Sequence, residues 1–532
     1  MDSSSVPGTA DRAVTAPGPE GSTGPGARRV LVIGAPLAVA TLLFRLPVFL
    51  NAEALDSDIT VVGLQAWHLA RGEFSLLLWG TDYQGITAPL ATLLVETLLP
   101  VRPPLALALS SVLGHVVLVL ALFGVLRRVL PLSLAALGAG CVAVCPEPLN
   151  YLTYSAFRIW SFTLVFLALY LGERAAGATR TWRHVLLAGL AGLAVGLGYY
   201  SDLFALQLIP GLVLYLLWWT WGAARPRWLA LGAVLAGYAV GSIPRLLAAM
   251  KPPQLSEIST SNLKRVWPLF WEQCLPYVTG AKLFASATGF DRPELRPSGL
   301  AFVLVVLGLG AFLLLVLAGG IIALLPVADR TSRRLAWCGA GWMGVSLIGF
   351  VFTNRAMDMM SARYLVPVLL GFPLVAAPAL DRLVRQGRTK PAMALLLLVV
   401  AHFGVAGWRG YGGWLEGGLP HVTSYGSGAD ERALLAALQQ RGVEAATGDY
   451  WVAYRLTFLW EERLPVPPSY GTERYGPYRQ RLASSRKTAL IFLPYIPGTP
   501  FRVSELWEER FRREGRRFER LTVGPYTALV LD

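Results

Sequence analysis

Charge is what this sequence has least of. Only 15% of its 532 residues are Asp, Glu, Lys or Arg, against about 25% in a typical soluble protein, and the mean hydropathy is +0.51. Such a chain cannot cover itself with a polar surface, which excludes soluble enzymes and disordered proteins and leaves lipid as its main solvent. Cysteine is scarce too: there are four, none in a CxxC pair, so neither a disulfide framework nor a zinc knuckle is expected. Cys141 and Cys145 lie one helical turn apart in an apolar stretch and read as buried packing. No second histidine stands at ligand spacing from His68, which argues against zinc. The net charge of +14 suggests nucleic acid only where basic residues share a face. Here they fall between apolar segments, so nucleic acid is excluded as a partner and the charge becomes a topology signal.

Apolar runs are abundant instead. A helix crossing about 30 Å of hydrocarbon needs roughly 20 apolar residues. By that measure spans are expected near 30–50, 104–126, 129–146, 155–172, 184–200, 203–221, 228–248, 299–325, 335–353, 364–381 and 391–410. The shorter run 86–100 reads as a helix lying along the membrane surface. The resulting fold class is an α-helical polytopic membrane protein with about eleven spans plus interfacial helices. A Ser-, Pro- and Gly-rich segment, 1–27, precedes the membrane domain at 28–410 and reads as a disordered cytoplasmic tail. Arg28 and Arg29, Arg127 and Arg128, Arg174, Arg180 and Arg183, Arg225 and Arg227, Arg330, Arg333 and Arg334, and the Arg382–Lys390 cluster all fall on one side. Positive loops mark the cytoplasm, so the N-terminus is expected inside. Loops of about 51–103 and 250–298, a turn at 147–154 and the C-terminal domain, 411–532, are expected outside.

That last segment changes character, with 16 basic and 14 acidic residues. DERALLAALQQRG has helical periodicity and ends on Gly442, a natural C-cap. TALIFLP, FERLTVG and YTALVLD read as strands, which makes a small extracytoplasmic α/β domain. GDYWVAYRLTFLWEE and RYGPYRQRLASSR are rich in aromatics and arginines, a composition suited to a lipid surface, to a sugar or phosphate, or to a packed core.

The first outer loop carries the chemistry. In EALDSDITVVGLQAWHLARGEF, Asp58 is placed to cap a helix whose apolar positions Ile59, Val62, Ala66 and Leu69 recur at helical spacing, with Gly72 at its end. This is an amphipathic helix in the interface, with a carboxylate at its start able to accept a proton or bind a metal.

The order of these parts resembles the membrane-embedded GT-C glycosyltransferases, above all the protein O-mannosyltransferases, the lipid A aminoarabinose transferases and their bacterial relatives. Asp58 stands fourteen residues before Gly72, and Thr87-Ala88-Pro89-Leu90 occupies the place of a proline element. SARYLVPVLLGFPLV, near the end of the membrane part, resembles an Arg-Tyr-Leu-x-Pro segment of the same proteins. The resemblance implies a sugar donor carried on polyprenyl phosphate, a glycan, lipid or protein acceptor, contact with membrane lipid, and transfer at the outer face with inversion.

It also implies roles for particular residues. Asp58 is the base, and Arg363 and Arg355, with Arg158, hold the donor phosphate through guanidinium forks. For the two arginines at 355 and 363, snorkelling to the interface is the plain alternative. This sequence departs from the relatives in having Ile59 after the aspartate and Thr87 where they have His or Lys. A site for a divalent metal ion would therefore have to use Asp56 or Glu147; the alternative is a metal-free site with Asp58 alone. Asp202, after Tyr199-Tyr200-Ser201, reads as a solvated turn that can meet the acceptor. The competing function is a transporter or flippase of a lipid-linked sugar, which calls for charge in mid-span; a membrane scaffold leaves the acidic loop unexplained.

The topology is directly testable. In a background without native thiols, cysteine at Ser427 is expected to label from outside and cysteine at Arg128 not to. Outside labelling at 128 means that 86–100 crosses the membrane.

Overall fold

The computed structural model describes residues 25–146, 149, 156–220, 227–248, 250, 261–284, 294–295, 297–354, 356–410, 428–493 and 503–532. Glu147 and Arg355 lie outside these. The chain is mainly helical: α1 (Pro25–Phe44), α2 (Leu46–Leu50), α3 (Ser57–Ala70), α4 (Thr87–Leu98), α5 (Pro103–Leu126), α6 (Leu132–Ala143), α7 (Ala156–Ala176), α8 (Thr181–Ser201), α9 (Ile209–Thr220), α10 (Arg227–Leu247), α11 (Ser261–Pro268), α12 (Gly299–Leu324), α13 (Arg330–Phe352), α14 (Val366–Arg385) and α15 (Thr389–Gly410). Each expected span overlaps a helix, with 203–221 split between a 3-10 turn (Leu203–Gln207) and α9. Eight helices among the described residues are long and apolar enough to cross a membrane, while Val32–Phe44 and Leu132–Ala143 are shorter. The 86–100 run forms the single short helix α4.

Local chemistry sets several helix ends. Pro103 and Pro104 open α5, where a missing N–H costs nothing. Asp329 caps α13 by accepting the amides of Thr331 at 2.8 Å and Ser332 at 3.2 Å. The first expected span is broken at Arg45, beside Pro47. The fully buried Arg45 guanidinium donates to the Ala143 carbonyl at 2.9 Å and to His115 Nδ1 at 3.2 Å.

Packing divides the bundle into protein-facing and lipid-facing surfaces. Along α12 the side chains of Leu300, Phe302, Val306, Leu313, Leu317, Ile321 and Leu324 are all exposed, a face suited to lipid. Helices α8 and α10 meet through glycines: a Cβ at Gly237 would lie 2.0 Å from the Gly189 carbonyl oxygen, and one at Gly192 2.0 Å from that of Val234. Close approach of small residues is how helices associate where lipid removes the hydrophobic incentive.

The C-terminal part contains α16 (Gly428–Gln440), α17 (Tyr450–Leu459), α18 (Gly476–Ser484) and α19 (Ser504–Arg513). They surround a five-stranded sheet in the order β4-β3-β5-β7-β6, where β3 is Ala445–Asp449, β4 Pro468–Tyr470, β5 Thr488–Phe492, β6 Phe518–Val523 and β7 Tyr526–Leu531. A separate two-stranded ladder joins β1 (Leu283–Phe284) and β2 (Glu294–Leu295). β3 runs parallel to β4 and β5, and β7 is antiparallel to β5 and β6. The three expected strands and the 428–440 helix are all present, with Gly442 left-handed at φ +70°.

This unit docks onto the end of the bundle where α3 lies. Trp67 of α3 stacks on Phe458 of α17 with ring centroids 4.8 Å apart. Gly63 is the reason the ring fits, because a Cβ there would lie 2.4 Å from Phe458 Cε2. The two aromatic segments thus pack against the first loop. Gly237→Val is expected to wedge α8 from α10 at a cost of about 1–3 kcal/mol or more, seen as a lowered melting temperature of detergent-purified protein.

Candidate active site

The site begins where the chain enters α3. Asp56 is extended (φ −97°, ψ 172°) and its Oδ1 accepts the Ile59 amide at 2.9 Å. Asp56 is therefore the N-cap, and the expectation that Asp58 caps the helix is corrected. A cap is the last non-helical residue, whereas Asp58 is already inside the first turn, at the positive end of the helix dipole. Asp56 is buried, and burial, reinforced by the Asp58 charge, pushes its carboxyl up to about 7.

The partners of Asp58 come from the far end of the chain. Its Oδ1 accepts Arg474 Nη2 at 2.8 Å and the Tyr450 hydroxyl. Arg474 Nε donates to the Tyr450 oxygen at 3.0 Å, and its Nη1 to the Gly80 carbonyl at 3.0 Å. Burial pushes the Tyr450 phenol far up, and the Asp58 charge adds to this, so Tyr450 stays protonated and donates. Burial opposes the charge on Arg474, but Tyr450 and Asp58 outweigh it and raise the guanidinium.

A second cluster forms where the 77–85 hairpin folds back on the bundle. Asp202 is only 1% exposed, not a solvated turn. Its Oδ1 accepts the Phe204 amide at 2.7 Å and its Oδ2 accepts Gln84 Nε2 at 2.5 Å. The correction has a physical cause: Gln84 brings a donor down onto a carboxylate that the sequence alone leaves facing water. Burial raises the Asp202 carboxyl, with the Arg158 charge opposing. Arg158 lies over the Phe204 ring at 4.9 Å, Phe204 stacks on Tyr364 at 5.5 Å, and Arg363 lies over Tyr364 at 5.2 Å. The structure thus joins Arg158 and Arg363 through two rings and sets Arg158 within electrostatic reach of both Asp56 and Asp202.

Tyr83 bridges the two clusters. Partial burial raises its phenol, the residue being still 38% exposed, and the charges of Asp202, Arg158, Asp58 and Arg474 all act on it. Tyr83, Tyr450 and Arg474 were not singled out by sequence. Their one signal was the aromatic and arginine density of the segments holding Tyr450 and Arg474. Glu147 and Arg355 fall outside the described residues.

The described carboxylates do not converge on a divalent cation, and Glu147 lies outside the described residues. Asp56 spends an oxygen on the cap and is raised toward its neutral form, Asp58 is shared with a cation and a phenol, and Asp202 is turned to Gln84. Among the described residues no three His, Cys, Asp or Glu side chains gather into a cluster.

The end of α3 is clamped separately. His68 is held between Glu73 Oε2 at 2.8 Å and Glu462 Oε1 at 2.7 Å. Tyr475 donates to Glu73 at 2.7 Å, Tyr478 to Glu462 at 2.5 Å, and Arg71 pairs with Glu462 at 2.6 Å. Glu461 and Glu462 are left-handed, at φ 51° and 60°. For non-glycine residues this strain costs roughly 1–2 kcal/mol each, and it is offset by the charged bonds it permits. Burial alone would lower the His68 value, but the two carboxylates outweigh it and raise it.

Because the folded value is raised, the clamp's stability is complete below the unfolded value of about 6.5 and is lost as pH rises through the folded value. His68→Gln is expected to lower the melting temperature more at pH 5.5 than at pH 9. An equal gap at both would mean that the histidine proton contributes nothing.

No protein-family model matches the sequence, and no curated protein is similar to it in sequence. Solved structures are similar in architecture. ArnT from Cupriavidus metallidurans, bound to undecaprenyl phosphate, superposes with a TM-score of 0.58 at 13% identity, covering 95% of this chain and 98% of that one. An oligosaccharyltransferase from Archaeoglobus fulgidus, tethered to an acceptor peptide, gives 0.48 at 11% identity over 88% of this chain and 69% of that one. The likeness to ArnT runs through both the bundle and the C-terminal unit, and the chain has the GT-C glycosyltransferase fold.

Proposed function

We propose that this multi-pass membrane protein is a glycosyltransferase that moves a sugar from a polyprenyl-phosphate carrier to an acceptor hydroxyl at the outer membrane face, with inversion. The observation that carries the reading is the state of Asp58: relieved of capping by Asp56, it is held by Arg474 and Tyr450 beside the cluster that contains Arg158. The GT-C fold supports a transferase, and ArnT, with the same fold, was solved with undecaprenyl phosphate. Asp58 takes the proton of the acceptor hydroxyl as that oxygen attacks the anomeric carbon. The bond from that carbon to the phosphate oxygen breaks, and its electron pair leaves with polyprenyl phosphate. Arg158 and Arg363 stabilise the departing charge, joined by Arg355 as proposed from the sequence. Asp202 fixes the hairpin that carries Tyr83 and does not itself meet the acceptor. No step requires a metal. The N-terminus is inside and the C-terminal unit outside, as the basic loops require.

Asp58→Asn is expected to bind undecaprenyl phosphate normally but to lower turnover by roughly 10²–10⁴, the usual worth of a positioned base. A chelator is expected to leave the wild-type rate unchanged. The assay follows labelled sugar passing from endogenous polyprenyl carriers to acceptor, in membranes of cells whose native copy is deleted. Full activity of Asp58→Asn would falsify the assignment. Arg363→Lys keeps the charge but loses the fork; it is expected to weaken undecaprenyl phosphate binding, and Arg363→Gln to weaken it further. Unchanged affinity in both makes Arg363 an interfacial anchor.

A further inference from the structure

The base of the proposed reaction belongs to the bundle, yet both groups that bond its carboxylate belong to the C-terminal unit. Arg474 Nη2, at 2.8 Å, and the Tyr450 hydroxyl both reach Oδ1. Among the described residues no hydrogen bond falls on Oδ2. The carboxylate is thus held by one oxygen, with the other left for an incoming hydroxyl.

The clamp is built from several sides. The Arg474 amide donates to the Tyr454 hydroxyl at 2.6 Å, and its guanidinium donates to the Gly80 carbonyl at 3.0 Å and lies 5.4 Å from the centre of the Tyr450 ring. Gly80 is left-handed, at φ +65°, and a Cβ there would lie 2.3 Å from Arg474 Cδ and 2.9 Å from its Cα. The next residue, Tyr475, stacks on Trp79 at 4.1 Å. The hairpin of the first loop is therefore shaped around Arg474.

We infer that Arg474 and Tyr450 are positioning residues for the transfer reaction, orienting Asp58 so that Oδ2 faces the acceptor hydroxyl, and that docking of the C-terminal unit is what makes the base competent. The inference rests on Asp58 being the base. The C-terminal unit then supplies orientation while the bundle supplies the base and the phosphate contacts. The acceptor proton passes to Oδ2, the new carbon–oxygen bond forms, and the departing phosphate keeps its electron pair; neither Arg474 nor Tyr450 exchanges a proton. A carboxylate freed to rotate loses the attack geometry, and a misplacement of about 1 Å can cost on the order of 10² in rate.

The test is a double-mutant cycle in the membrane assay described above, with undecaprenyl phosphate binding measured on the same purified full-length variants. Arg474→Ala is expected to lower kcat by about 10- to 100-fold with undecaprenyl phosphate affinity within twofold of wild type. Arg474→Lys is expected to recover part of the loss. Gly80→Ala, which removes no charge but displaces Arg474, is expected to lower kcat in the same sense. The double variant Asp58→Asn/Arg474→Ala is expected to be no slower than Asp58→Asn alone, because Arg474 acts through Asp58. Independent, multiplying losses overturn the inference while leaving Asp58 as base. So does wild-type turnover by Arg474→Ala, or a loss expressed only in donor affinity. Full activity of Asp58→Asn overturns the base assignment itself, and the positioning role with it.

Discussion

The loop that presents Asp56 and Asp58 is fixed by one buried cation. Arg455 in α17 has 1% of its side chain exposed and its partner Glu431 0%. A guanidinium taken out of water needs its donors filled, since breaking such a pair costs about 3–5 kcal/mol. Arg455 Nη2 bonds Glu431 Oε1 at 2.7 Å, while Nη1 reaches the carbonyls of Glu53 at 2.7 Å and Leu55 at 3.1 Å. Those carbonyls immediately precede Asp56. The loop that presents the two aspartates is therefore tied to the C-terminal unit by a buried cation. The Arg455 amide continues the tie, donating to Ser57 Oγ at 3.2 Å. With 55 and 57 fixed, Asp56 is set in the extended conformation that caps α3, and Asp58 is turned toward Tyr450 and Arg474.

This dependence explains what was legible in the sequence and what was not. Spans, the surface helices and the strands of the C-terminal unit follow from composition and local periodicity, which neighbours along the chain decide. The choice of cap between Asp56 and Asp58 is decided by backbone conformation at two positions. That conformation comes from Arg455, about 400 residues further on. The same holds for Asp202, whose burial depends on Gln84 arriving from a loop 118 residues earlier. Arg474 and Tyr450 lie 416 and 392 residues from Asp58, in segments whose composition marked them as adhesive without saying to what. They turned out to meet another part of the same protein.

The electrostatics of the site are alternating and local. Asp58 faces Arg474, the Arg158 charge acts on both Asp56 and Asp202, and Tyr83 feels Asp202, Arg158, Asp58 and Arg474. Opposite charges at close range limit the desolvation cost of each. Arg158 and Arg363 meet through the faces of Phe204 and Tyr364, which attract cations without neutralising them. In the proposed reaction these two cations meet the phosphate, while Asp58 keeps Arg474 as its own counter-ion.

The placement of charge on α7 bears on the choice between transfer and transport. Arg158 and Glu173 lie on the same helix, α7, about 22 Å apart at 1.5 Å per residue. Glu173 is locked by Arg334 through two bonds, at 2.9 and 2.6 Å. On α7 the charges are thus at the two ends, whereas the buried Arg45 reaches His115 midway along α5; a carrier needs charge along its pathway. A carrier also needs an element with two arrangements of similar energy. The surroundings of Asp58 are the opposite case: a capped helix, a buried ion pair, a Trp–Phe stack, a Trp–Tyr stack and a histidine clamp all specify one arrangement. Holding a carboxylate in one arrangement serves the breaking and making of bonds.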